Sequence, residues 1–265
     1  GAAIAILIAL WMYAKRTPGQ SYLWEVDRVV IVTAMTGALI RFGNLMNSEI
    51  GGKETNSDNG FVYGWHIEEI LASLRVPVES IDAYKPTDRD GELKGNGIVP
   101  MNIDLKVGKG SYDVANLEST LRRDIKYALT QFNSSKNYYA EEVETPLNLT
   151  IVEKSDHYLV TVKTFGKAKH PTQIYESISY FIIFLILFAI WNHYKERTPE
   201  GILLGLFLIS VFGMRFVWEF YKENQVDFEE TMAFNMGQLL SVPLVAGGIV
   251  LVVLALKNGP KAKSG

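Results

Sequence analysis

Arg41, Asn44 and Asn47 recur at every third position of one apolar stretch, and Glu49 follows two residues later. Spacing of three places side chains on one helical face. The residues before them, Val29 to Ile40, read as a membrane helix, and hydrocarbon gives an arginine, two amides and a carboxylate no water. Polar groups so placed line a ligand site or an ion path. A second arginine, Arg215, stands four residues before Glu219 in another apolar run, the spacing of a helical ion pair. Arginine presents a planar fork suited to bidentate phosphate binding and does not deprotonate. Two of them imply anion handling in lipid, and a phosphate at that depth belongs to a phospholipid headgroup.

The elements that must carry these residues are membrane spans. The 265-residue chain has a net charge of −3 and no cysteine, so no nucleic-acid partner, no disulfide and no thiol nucleophile are expected. No His-rich or carboxylate-rich spacing suggests a metal, and no cofactor is expected. Five segments approach the ~20 apolar residues a bilayer requires: Ala2–Tyr13, Val29–Met46, Ile174–Trp191, Ile202–Phe220 and Met236–Leu256. Lys15 and Arg16, Lys195 and Arg197, and Lys257, Lys261 and Lys263 follow the first, third and fifth, whereas Glu223, Asp227, Glu229 and Glu230 follow the fourth beside a single Lys222. The positive-inside rule then puts the C-terminus in the cytoplasm and the long polar insert outside.

The insert reads as a small α+β domain. Period-two segments at Glu79–Tyr84, Ile98–Val107, Leu147–Glu153 and Tyr158–Phe165 predict four antiparallel strands. Leu117, Leu121, Ile125 and Leu129 predict one helix over Asn116–Phe132, with Ser111 or Asp113 as its cap. The expected organisation is membrane helices at 1–52, the extracytoplasmic insert at 53–169, three membrane helices at 170–257 and a cytoplasmic tail at 258–265: a polytopic α-helical membrane protein with an inserted domain.

Helical rise converts this topology into depth. Measured from the cytoplasmic ends of their spans, Arg41 lies roughly 18 Å along the second and Arg215 about 21 Å along the fourth. The third span descends from outside with Gln173, Tyr175 and Glu176 in its first turn, and the fifth begins there with Gln238. Polar groups from four helices thus converge in the outer half of the membrane, and no comparable cluster is expected in the inner half. Simpler roles stand beside this one: Arg215–Glu219 as a structural ion pair, Arg41 as a snorkelling side chain, His170 as a polar contact. Two arginines at one depth, with amides beside one of them, favour the ligand site.

The segment Arg41-Phe42-Gly43-Asn44-Leu45-Met46-Asn47-Ser48-Glu49-Ile50-Gly51-Gly52 resembles the signature of the prolipoprotein diacylglyceryl transferase family. His170-Pro171-Thr172-Gln173-Ile174-Tyr175-Glu176, Arg215-Phe216-Val217-Trp218-Glu219-Phe220 and Met236-Gly237-Gln238-Leu239-Leu240-Ser241 are similar to its other motifs, in the same order. The resemblance implies transfer of the diacylglyceryl group of phosphatidylglycerol to the lipobox cysteine of a prolipoprotein signal peptide, at a bacterial inner membrane. The substrate would bring the thiol this chain lacks. By the same resemblance, Arg41, Asn44, Glu49, Arg215 and Glu219 are the catalytic residues. Arg41, Asn47, Gly52, His170, Gln173, Tyr175, Glu176, Arg215 and Gln238 would contact phosphatidylglycerol.

Two features depart from the family pattern. Family members usually have seven spans and a His-Gly-Gly motif immediately before the span matching Ala2–Tyr13, whereas this sequence begins at Gly1-Ala2. That histidine, a proposed general base, and an essential N-terminal tyrosine are therefore expected upstream. The insert is also longer than the family's usual outer loop. The competing function is a lipid-binding membrane protein or transporter using the same polar cluster. Transporters show internal repeats or paired broken helices, and no second copy of the Arg41–Glu49 segment is seen.

Overall fold

The structure, a computed structural model, describes residues 2–47, 51–73, 78–109, 114–223, 229 and 232–259. In chain order its elements are α1 (Ala2–Arg16), α2 (Tyr22–Met46), α3 (Trp65–Ser73), β1 (Val78–Tyr84), β2 (Ile98–Gly108), α4 (Val114–Thr130), α5 (Asn133–Lys136), β3 (Asn148–Glu153), β4 (His157–Lys167), α6 (Thr172–Tyr194), α7 (Ile202–Trp218) and α8 (Met236–Asn258). They divide into two compact units, one of Gly1–Met46 with Thr172–Gly265 and the other of Asn47–Pro171.

The first unit is a helical bundle. Val26, Val30, Ala34 and Ala38 form an i, i+4 row on α2 that is buried against Tyr180, Ile183 and Leu187 of α6 and Leu203 of α7. Gly205 of α7 and Gly248 of α8 bring two backbones together: a Cβ on either would lie 2.8 Å from the other's carbonyl oxygen. Small residues at such crossings are how helices associate where lipid removes the hydrophobic drive between them. The outward side chains are apolar as well, Val32, Leu39, Ile182, Ile186, Val250 and Leu254 being about half exposed or more. Water would not tolerate so continuous an apolar surface. Among the described residues, four helices, α2, α6, α7 and α8 with their short extensions, are long and apolar enough to cross a membrane. At 15 residues α1 falls short of the ~20 that a bilayer requires.

One boundary differs in a way that matters. The second span was expected from Val29, but α2 begins at Tyr22 and carries Glu25, Asp27 and Arg28 in its first turns. Ser21 caps it, accepting the Trp24 N–H at 3.2 Å while its hydroxyl donates to Glu200 at 2.6 Å. Asp27 is buried, and its carboxylate accepts the N–H groups of Gly201 (2.7 Å) and Leu204 (2.8 Å) at the open N-terminus of α7. The first N–H groups of a helix have no partner within it and carry its positive end, so a carboxylate is tolerated there without water. This helix cap is a second, smaller polar contact in the bundle, which the sequence reading did not single out.

The second unit is a four-stranded antiparallel sheet of order β1-β2-β4-β3. Its register aligns Ala83, Ile103, Val162 and Leu149 across all four strands. On that face lie Leu117, Leu121, Ile125 and Leu129 of α4, all buried in one core. The opposite face is polar, Asp104 accepting the hydroxyls of Thr161 (2.7 Å) and Tyr84 (3.2 Å). Two helices add to the expected one. Of these α3 contributes Ile67, Ile70 and Leu71 to the core, and its nine residues are too short a periodic run to stand out in the sequence. The proposed caps Ser111 and Asp113 lie outside the described residues. Gly97, before β2, has φ 76°, and a Cβ there would sit 2.0 Å from the Thr55 carbonyl oxygen, so only glycine fits.

Candidate active site

Five charged side chains meet at the end of the helical bundle where α2 finishes and α6 begins. Glu176, in the second turn of α6, is almost fully buried and faces Arg41 Nε of α2 at 3.1 Å through Oε2. Its other oxygen, Oε1, accepts from Lys222 Nζ at 2.9 Å and from the Tyr180 hydroxyl at 3.4 Å. Lys222 also donates to Glu219 Oε1 at 3.1 Å. Glu219 pairs with Arg215 Nε at 3.5 Å, one helical turn back. The order Arg41–Glu176–Lys222–Glu219–Arg215 is a continuous chain of alternating charge.

Glu219 is also held from α8. Asn235 Nδ2 donates to its Oε2 at 3.1 Å, and Asn235 forms a capping box with Gln238, each accepting the other's backbone N–H. The Gln238 amide Nε2 donates to the Phe216 carbonyl at 3.4 Å. Gln238, expected on the headgroup, thus commits its side chain to the junction of α7 and α8. Gly237 permits this close approach: a Cβ there would lie 2.7 Å from the Glu219 carboxylate. Gly237→Ala is expected to push that carboxylate off Lys222 and Asn235. Overpacking of this kind costs about 1–3 kcal/mol. The predicted outcome is a lowered melting temperature with the helical fold retained, checked by thermal melts and circular dichroism of the purified protein.

The electrostatics of the chain are asymmetric. Among the described residues, three cations are linked to two carboxylates, leaving one positive charge in excess. The carboxylates and Lys222 are buried, their side chains 1–10% exposed, whereas those of Arg41 and Arg215 are 20% and 36% exposed. The accessible part of the cluster is therefore cationic. Arg215 Nε is itself buried without a hydrogen-bond partner, its ion pair with Glu219 being long. A buried donor left unsatisfied is costly, and a bound anion that drew the guanidinium into place would relieve it.

The other expected residues fall as follows. Asn44 is half-buried one turn beyond Arg41. Gln173 is buried, and the half-buried Tyr175 ring lies 5.2 Å from that of Trp218, whose indole N–H donates to Ser179 at 3.0 Å. In the second unit, Asn47 is exposed just after α2, and the Gly52 N–H donates to the His170 carbonyl at 3.1 Å while the His170 N–H donates to the Lys53 carbonyl at 3.0 Å. That pairing joins the last glycine of the signature segment to the start of the His170-Pro171 motif. Glu49 lies outside the described residues.

The sequence reading did not single out Lys222, Asn235, Tyr180 or Gly237 as site residues. Lys222 stood in a loop read only for its charge balance, although its i, i+3 spacing from Glu219 was a signal. A fully buried lysine, Lys169, was also missed. Its Nζ lies 3.9 Å from the centre of the Tyr138 ring.

Comparison with known proteins points to the same family. The family model described as prolipoprotein diacylglyceryl transferase matches residues 1–254. A phosphatidylglycerol–prolipoprotein diacylglyceryl transferase of Bacteroides fragilis is 27% identical over 249 residues, covering 94% of this chain and 54% of that protein. Proteins of the same name from Tolumonas auensis and Porphyromonas gingivalis are 28% and 27% identical, each aligned over 97% of this chain and 62% of its own length. The chain thus spans a little over half to about three-fifths of the length of these relatives.

Proposed function

The chain belongs to the prolipoprotein diacylglyceryl transferase family, and from that premise we propose that it forms the phosphate-binding part of an enzyme transferring diacylglyceryl from phosphatidylglycerol to a lipobox cysteine of prolipoproteins. The observation that carries the reading is the chain of five charges with its surplus cation turned outward. In the transfer, the peptide sulfur forms a bond to the glyceryl carbon, the carbon–oxygen bond to phosphate breaks, and glycerol phosphate leaves while the thiol loses its proton. Negative charge accumulates on the departing phosphate. Preorganised cations aimed at developing charge are the largest single source of rate in such sites. Arg41 and Arg215 hold the phosphate, and Glu176, Glu219 and Lys222 keep both guanidiniums in position. Family membership favours transfer over lipid binding or transport by the same cluster.

By the family resemblance, Asn44, Gln173 and Tyr175 of the helical bundle contact the headgroup beside the two arginines. The protein works as a multi-pass protein of a bacterial inner membrane. The insert at 53–169 is extracytoplasmic and the tail at 258–265 cytoplasmic.

Mass spectrometry of a lipobox peptide incubated with phosphatidylglycerol and the full-length protein in detergent tests this. The expected outcome is a mass gain of one diacylglycerol unit that requires the peptide's cysteine. No gain with the full-length protein, or a gain undiminished by Arg41→Ala, overturns the proposal.

A further inference from the structure

We infer that Asp27, at the opposite end of the bundle from the five-charge chain, is a positioning residue that sets the two arginines at one depth; this rests on the transferase reading above. Asp27 Oδ2 and Oδ1 accept the N–H groups of Gly201 and Leu204 at 2.7 and 2.8 Å, so a residue of α2 caps the N-terminus of α7. The Ser21–Glu200 hydrogen bond, 2.6 Å long, ties the starts of the same two helices together. Fourteen residues separate Asp27 from Arg41, and fourteen separate Gly201 from Arg215. Both helices leave this junction in the same direction. At the helical rise each arginine therefore lies about 21 Å beyond it. Equal spacers from a common origin deliver the two guanidiniums to one level.

Apolar packing alone does not fix that level. It is non-directional, and the cluster to which α2 and α7 both contribute is apolar. Two short hydrogen bonds that one carboxylate accepts from N–H groups three residues apart, those of Gly201 and Leu204, are directional and admit one axial position. At the far end, Glu176, Lys222 and Glu219 link the helices through long side chains, which accommodate sliding. The backbone cap is the stiffer of the two ties. A shift of α7 by a fraction of a turn would carry Arg215 out of reach of a phosphate still held by Arg41, and misplacement by ~1 Å can cost on the order of 10²-fold in rate.

A double-mutant cycle in the full-length protein separates positioning from general damage. Asp27→Ala and Asp27→Asn are each made in the wild type and in Arg215→Lys, and initial rates are measured with phosphatidylglycerol and a lipobox peptide. A residue that acts through Arg215 loses its effect when Arg215 is already impaired, so Asp27→Ala is expected to lower the wild-type rate about 30-fold but the Arg215→Lys rate by no more than about threefold. Equal losses in both backgrounds, or no loss in either, overturn the inference. Should Asp27→Ala not fold, Asp27→Asn, of equal size but with one acceptor oxygen, is judged by the same ratio.

A geometric measurement stands apart from activity. Spin labels placed at Ile40 and Val217, both exposed on the bundle, report the offset of α2 and α7. Asp27→Asn is expected to shift or broaden their distance distribution, and an unchanged distribution overturns the inference. An inactive wild-type protein would instead overturn the transferase reading, leaving the spin-label result to decide the role of Asp27.

Discussion

Arg215→Ala in the full-length protein is expected to lower diacylglyceryl transfer by about 10²- to 10³-fold, the loss seen when one preorganised donor to a developing anion is removed. Its side chain is over a third exposed and its Nε lacks a hydrogen-bond partner, so the folded protein gives up little when it goes. The melting temperature in detergent is expected to stay within a few degrees of wild type while turnover collapses. Arg215→Lys keeps the charge but not the planar fork, and an intermediate loss of about tenfold is expected. Initial rates of peptide lipidation over a range of phosphatidylglycerol check both. A defect confined to KM, with kcat unchanged, would show that the arginine binds substrate and transition state equally and would remove it from the chemical step.

Lys222→Met should fail in the opposite manner, through stability first. Lys222 sits between Glu176 and Glu219 at 2.9 and 3.1 Å with its side chain 4% exposed. Methionine nearly matches its length but leaves two buried carboxylates sharing what remains of the positive charge. Removing one member of a buried ion pair typically costs about 3–5 kcal/mol, and here one lysine serves two partners. The expected result is a clear fall in melting temperature together with lost turnover. Glu176→Gln combined with Lys222→Met removes one of the two stranded charges and is expected to recover part of the stability but not the activity. Recovery of both would make the cluster a structural ion network and remove its catalytic assignment. If Lys222→Met melts with the wild type, the ion pairs seen here do not hold the bundle together.

Much of the site was legible because its residues obey local rules. Arg215 and Glu219 are four apart on one helix and pair as that spacing demands. Arg41 and Glu176 are far apart in sequence, yet placing each by helical rise from its span end put them near one depth, and they meet at 3.1 Å. The strands of the inserted unit were visible in their period-two pattern, which alternates buried and partly buried residues along all of β4. Lys222 was legible only as an i, i+3 partner of Glu219; its burial was not, since a lysine just beyond a helix reads as an interfacial charge. Gln238 had the right location, but its amide is spent on the Asn235 cap and the Phe216 carbonyl. Asp27 escaped because hydropathy begins the span at Val29. Only the free N–H groups of α7, 174 residues on, make a buried carboxylate there affordable.

The sequence by itself determined which segments are apolar enough for a bilayer, which strands form the inserted sheet, and which polar residues are too expensive in lipid to be incidental. These are properties of local composition and period, and each is set within one element. The tertiary structure decided which charges pair, which are covered, and therefore which sign the open part of the site presents. Pairing depends on where one helix stands along another, and that register is set by contacts between residues distant in the chain, such as Asp27 with Gly201 and Glu176 with Lys222. A side chain's charge is written in the sequence, but its partner and its exposure exist only once the helices have packed.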